Sequence, residues 1–145
     1  MQIKRDHLVV HKFGGASVKN SEAVRNVGAL LTQNIQGSAV VVVSAMGKTT
    51  NELEHVLGVL IKEGVVSAQS QMNVITETHE DIARELGINV DLRVIFDSAL
   101  KTANELEDAD ARYDALVAAG EDASTRVLTG YLKSKNFEAK WTDAR

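Results

Sequence analysis

The apolar positions along this chain change period several times, and each change marks an element. Leu8, Val9 and Val10 form a short, largely β-branched run that predicts a strand. After a glycine pair, Val24, Val27, Leu30 and Leu31 recur at helical spacing, with Asn20 or Ser21 placed as the cap and Gly37 near the end. Ala39, Val40, Val41, Val42 and Val43 then run on without a polar break, the pattern of a strand covered on both faces, as in a parallel sheet flanked by helices. A helix between the two strands implies parallel pairing. Leu53, Leu57, Leu60 and Ile61 mark the next helix, closed by Gly64, and Thr49 and Glu52 stand at capping-box spacing at its start.

Residues 67–87 predict a helix with Met72, Ile75, Ile82 and Leu86 on one face and His79 in the same stripe. A second helix, opened by Asn89 or Asp91, carries Leu92, Ile95, Phe96, Ala99, Leu100, Ala103 and Leu106. This αα-hairpin interrupts the strand–helix alternation, so it should project from the sheet, covering a site, making an oligomer contact, or both. Residues 112–119 read as a short helix and Gly120 as a break. Val127, Leu128, Tyr131 and Leu132 then read as a new helix with Glu121 in its first turn. From Phe137 to Thr142 apolar and polar residues alternate strictly, predicting a half-buried strand. Three strands, the last with no helix behind it, would leave a face uncovered and an edge open. The expected fold class is therefore α/β, a three-layer αβα arrangement with a mostly parallel sheet, the front portion of a larger domain with a projecting helical hairpin.

Composition narrows the function. The chain has 145 residues, 44% hydrophobic and 25% charged, which is one domain's worth of ordinary globular sequence. A net charge of −4 with scattered basic residues gives no footprint for nucleic acid. The absence of cysteine excludes a disulfide framework, a thiolate zinc site and a cysteine nucleophile. The opening seven residues lead into a strand too short for a signal-peptide core or a membrane span, so a cytoplasmic protein without a membrane partner is expected. The absence of proline suits long helices.

Two turns carry candidate chemistry. In Val9-Val10-His11-Lys12-Phe13-Gly14-Gly15-Ala16-Ser17 a strand delivers a lysine, two glycines and a hydroxyl ahead of a helix. Such a turn either simply reverses the chain or lets backbone N–H groups approach an anion while the lysine supplies charge. The second turn runs from Ser44 to Asn51. Its Gly47-Lys48-Thr49 resembles the end of a Walker A loop, but that loop needs glycine where Val42 stands. Two small-residue turns at the carboxyl edge of adjacent parallel strands lie where open α/β sheets bind ligands. The acidic run 105–110 reads as a solvated helix end or loop, and His79 as a satisfied core histidine. Glu121, read locally, answers a helix dipole.

The strings Lys12-Phe13-Gly14-Gly15-Ala16-Ser17-Val18, Val42-Val43-Ser44-Ala45-Met46-Gly47 with Thr50-Asn51, and Gly120-Glu121 with Ser124 and Arg126 resemble the aspartate kinases of the amino-acid kinase family. The likeness is to the amino-terminal half of that catalytic domain. It implies transfer of the ATP γ-phosphoryl group to the β-carboxylate of L-aspartate, a step towards lysine, threonine and methionine. By resemblance, Lys12 stabilises the charge in flight, and Phe13, Gly14 and Gly15 belong to the phosphate-contacting string, with Gly47 as a further N–H donor. Ser44 and Thr50 contact aspartate through hydroxyls, and Glu121 pairs with its ammonium group. Magnesium should arrive on the phosphates of ATP, with no protein metal site in this half. The full enzyme is expected to be a homo-oligomer. The nucleotide-binding half and the regulatory ACT domains should lie beyond this chain, which alone should be inactive.

Two residues depart from the family pattern: Ala16 replaces a customary threonine, and Lys48 stands where glycine is common. Glutamate or acetylglutamate kinases within the same family remain an alternative, as does a non-catalytic interaction domain using the 67–108 hairpin. A dinucleotide-binding module is disfavoured because no GxGxxG follows either early strand. On the kinase reading, Lys12, Thr50 and Glu121 should share one hollow.

Overall fold

A computed structural model describes residues 8–144. The opening seven residues, on which the signal-peptide argument rested, and Arg145 lie outside them. Strand β1 (Val9–Phe13) is followed by a 3₁₀ turn (Gly15–Val18), helix α1 (Ser21–Asn34) and strand β2 (Ala39–Val43). Four helices follow: α2 (Thr49–Glu63), α3 (Val65–Leu86), α4 (Leu92–Glu105) and α5 (Ala109–Ser134). The strands pair in parallel, with Val9 opposite Ala39 and Phe13 opposite Val43, as the intervening helix requires.

Most helix ends follow their sequence signals. Asn20 accepts the Ala23 N–H at 2.9 Å to open α1, and Asp91 accepts the Val94 N–H at 3.2 Å to open α4. Asp108, in the acidic run, accepts the Ala111 N–H at 2.8 Å and opens α5. Gly64 (φ 90°) and Gly87 (φ 70°) close α2 and α3 in conformations that other residues rarely adopt. The capping box at α2 does not form. Thr49 is the first helical residue rather than the cap, and its hydroxyl is turned inward to His79.

Helices α3 and α4 pack on each other and, side by side, on α2 and α5, so the hairpin extends the helical layer away from the strands. The core runs through this layer, with Leu53, Met72, Phe96, Leu100, Leu116 and Leu128 fully buried. Among the described residues the other sheet face stays open, with Val10 61%, Val40 42% and Val42 45% exposed. The unbroken valine run therefore has one covered face here, not two. No helix among the described residues is long and apolar enough to cross a membrane.

Two expectations fail near the end of the chain. Gly120 does not break a helix, because α5 runs unbroken through it. A Cβ there would lie 3.0 Å from Ala45 Cβ, 3.1 Å from Thr49 Cγ2 and 3.2 Å from Leu53 Cδ1, so the glycine serves a close helix crossing. Residues 137–142 alternate in burial as predicted but join no sheet. After α5, Asn136 (φ 57°) turns the chain, with Phe137 N–H on Leu132 O and Asn136 N–H on Lys133 O, a Schellman closure. The segment is then held by α5: Trp141 Nε1 donates to Thr125 Oγ1 at 3.0 Å, and the Arg126 guanidinium lies 3.9 Å from the Trp141 ring centre. A groove of about 740 Å³, lined by Val41, Val43, Leu128 and Leu132, lies between this segment, β2 and α5.

Candidate active site

The site is built from the backbone outward, where both turns leave the strands. The ladder continues past β1, with Ser44 N–H donating to Phe13 O at 3.0 Å. Further along both segments, the Gly47 N–H donates to Gly15 O at 3.0 Å and joins the turns directly. They lie so close that a Cβ on Gly15 would sit 2.5 Å from Ala45 O and 3.1 Å from Gly47 O. Gly47 takes φ 53°, which a residue with a side chain resists. Helix α5 fastens the second turn from the far side, as the buried Ser124 Oγ donates to Ser44 O at 2.8 Å.

Lys12 is exposed on β1, in register with Val42 on the open sheet face. Gly14 precedes the 3₁₀ turn with an ordinary extended backbone (φ −77°, ψ 168°), and a Cβ on it would meet nothing within 4 Å. Its freedom from a side chain therefore leaves open space rather than enabling a strained turn. Gly15 and Ala16 open the turn, where the first N–H groups have no partner within the helix. Ser44 and Thr50 are half-buried, Ser44 at the end of β2 and Thr50 in the first turn of α2.

The structure gives Phe13 a packing role and corrects the expectations for Gly47 and Glu121. Phe13 packs its ring against the core and accepts the Ser44 N–H at its carbonyl, so it helps to join the turns. The Gly47 N–H is taken by Gly15 O and is no donor to phosphate in this conformation. Glu121 stands in the middle of α5, not in a first turn, so no helix dipole acts on it there. It is exposed and shares a shallow hollow of about 480 Å³ with Asp114, Ala115, Val117 and Ala118. That hollow contains neither Lys12 nor Thr50. Glu121 is tied to the second turn by packing, since Gly120 and Ser124, on either side of it, pack on the turn that carries Ser44, Thr49 and Thr50, whereas Lys12 stands on the open sheet face.

His79 is a core residue, as the sequence suggested: 2% exposed, Nδ1 2.8 Å from Ile75 O, ring edge to face with Phe96 at 5.0 Å. Burial holds its pKa below the usual histidine value, with the Ile75 hydrogen bond and the charge of Glu52 opposing more weakly. Sequence reasoning missed the structural part of Gly120 and the contact of Thr49 with His79. The first was detectable, since Leu116, Ala119, Ala123 and Val127 keep the helical period through the glycine. Among the described residues no three or more His, Asp or Glu side chains gather where they could hold a metal ion.

A profile of the amino acid kinase family matches residues 7–145. The chain belongs to the amino acid kinase family. Aspartokinase 2, chloroplastic, of Arabidopsis thaliana is 35% identical over 144 residues, 93% of this chain and 26% of its own length. The aspartokinase of Chlamydia trachomatis serovar D is 33% identical over 138 residues, 94% of this chain and 30% of its own. The chain thus spans between a quarter and a third of the length of these curated relatives. Among solved structures, Escherichia coli aspartokinase III in complex with aspartate and ADP superposes with a TM-score of 0.77 at 24% identity. The match covers 96% of this chain and 32% of that one, and it establishes the shared α/β fold.

Proposed function

We propose that residues 1–145 form the aspartate-holding, phosphate-contacting part of an aspartate kinase. The observation that carries the reading is the pair of bonds Gly47 N–H to Gly15 O and Ser124 Oγ to Ser44 O. They draw the three motif-bearing segments to one end of the strands. Aspartokinases as relatives at 33% and 35% identity, and a solved neighbour holding aspartate and ADP, support the substrate class.

The reaction makes a bond between a β-carboxylate oxygen of L-aspartate and the γ-phosphorus of ATP, breaks the β,γ-bridging P–O bond and releases ADP. Such a transfer asks for positioning and charge neutralisation, not for a protein nucleophile. The open space over Gly14, the leading N–H groups of Gly15 and Ala16, and the exposed ammonium of Lys12 suit phosphate oxygens. Magnesium bound to the nucleotide would neutralise further phosphate charge. Ser44 and Thr50 offer hydroxyls to the amino acid, and Glu121 a carboxylate to its ammonium group. Gly47 contributes by holding the turns together. The adenine site and the regulatory domains belong, in this reading, to sequence outside these residues, and the complete enzyme is a cytoplasmic homo-oligomer.

Calorimetry tests the assignment. Aspartate should give a binding heat with this chain that Glu121→Gln removes while the unfolding midpoint stays put. ATP and aspartate together should yield no aspartyl phosphate from residues 1–145 alone. Steady product from the isolated chain, or binding of glutamate in place of aspartate, would overturn the proposal.

A further inference from the structure

The mechanism leaves one buried polar pair unused, His79 with Thr49. Helix α3 places the imidazole on a buried face with Met72, Ile75, Thr76, Ile82 and Leu86, where an aliphatic residue would pack without the cost of burying a polar ring. The ring's state follows from its partners. A carbonyl only accepts, so the 2.8 Å contact with Ile75 O puts the proton on Nδ1. Burial favours the neutral ring. Nε2 is then a lone pair, and the Thr49 hydroxyl, 3.4 Å away, donates to it.

Thr49 is where this pairing gains reach. It is 3% exposed, begins α2, gives its N–H to Met46 O at 2.9 Å, and rests its Cγ2 against the Gly120 crossing. Met46 leads into Gly47, whose N–H holds Gly15. A continuous line of contacts thus runs from α3 through Thr49 to both turns, with Phe96 of α4 fixing the ring from the side.

We propose that His79 is a positioning residue: by holding the Thr49 hydroxyl it sets the first turn of α2, on which Thr50 stands, and couples the α3–α4 hairpin to the substrate turn. The functional part rests on the aspartate kinase reading. The coupling itself does not.

Nuclear magnetic resonance on this chain separates the two. Long-range proton–nitrogen spectra should show His79 protonated at Nδ1 and bare at Nε2. His79→Leu and Thr49→Val should displace the same amide signals, those of Met46, Gly47, Thr50 and Gly15. The double variant should displace them no further than either single one, and His79→Gln, which keeps an acceptor, should return them towards wild type. Should His79→Leu fail to fold, Thr49→Val decides alone, since it leaves the imidazole in place. An Nε2–H tautomer, additive displacements, or unmoved turn amides in Thr49→Val would overturn the coupling. If the wild-type chain binds aspartate, both single variants should weaken it about fivefold, the worth of one hydrogen bond. If it does not bind, the aspartate assignment fails while the amide signals still judge the coupling.

Discussion

The two adjacent glycines of the first turn should respond oppositely to the same substitution. A methyl group added at Gly15 lands 2.5 Å from Ala45 O and 3.1 Å from Gly47 O, both backbone atoms. Neither can step aside without separating the turns and stretching the 3.0 Å bond from Gly47 N–H to Gly15 O. Overpacking of this kind costs about 1–3 kcal/mol. At about 4 °C per kcal/mol for a chain of this length, Gly15→Ala should lower the melting midpoint by about 4 to 12 °C. At Gly14 the same methyl meets nothing within 4 Å, and φ −77° with ψ 168° is comfortable for alanine. The entropy lost by the unfolded chain favours Gly14→Ala, and the change in midpoint should stay within the equivalent of about 0.5 kcal/mol. Urea or thermal unfolding followed by circular dichroism, with both variants in one buffer, reads the contrast. Equal loss at both positions, or a Gly15→Ala variant as stable as wild type, would refute the close approach of the turns. Under the proposed function the Gly14 methyl stands where phosphate approaches, so that variant should keep its fold and lose nucleotide contact.

Three further outcomes are expected. Ser124→Ala should cost about 1–2 kcal/mol in unfolding experiments, because it takes the 2.8 Å donor from Ser44 O inside a buried helix contact. Gly58→Ala, inside α2 with nothing within 4 Å of the new methyl, should instead add about 0.5–1 kcal/mol through helix propensity. His79 should make stability fall with acid. Its folded pKa lies below the unfolded value of 6.5, so between the two the unfolded chain binds the extra proton. Stability should decline as pH drops below about 6.5, by at most about 1.4 kcal/mol per pH unit, and His79→Gln should flatten that slope in urea titrations at successive pH values.

The sequence made the local elements legible because their signals are local. Asn20, Asp91, Gly64 and Gly87 act on their own helix ends, and the apolar period marked most inward positions, though Leu30 and Ile61, placed in the apolar stripes, are 52% and 59% exposed. It misread what distant segments decide. Gly120 looked like a break because glycine opposes helix formation on its own, and the reason for keeping it lies 71 residues earlier in the chain, at Thr49. The alternation at 137–142 correctly gave a half-buried segment, but alternation says nothing about the partner. Here the partner is α5, through Thr125 and Arg126, in place of a sheet edge.

The candidate site divides along the same line. Lys12, Gly14 and Gly15 lie within four residues of one another, so the strand and turn that place them could be read directly. Glu121 could be chosen only through resemblance, because its local setting argued for a helix-dipole role and that setting was wrong. In α5 it stands mid-helix, where no dipole end explains a carboxylate, beside two small residues whose packing on the second turn is explained. That arrangement makes Glu121 the strongest single test of the assignment: a charge with no folding role in the helix should be removable without loss of stability, and any loss of aspartate binding on its removal then reports on the ligand alone.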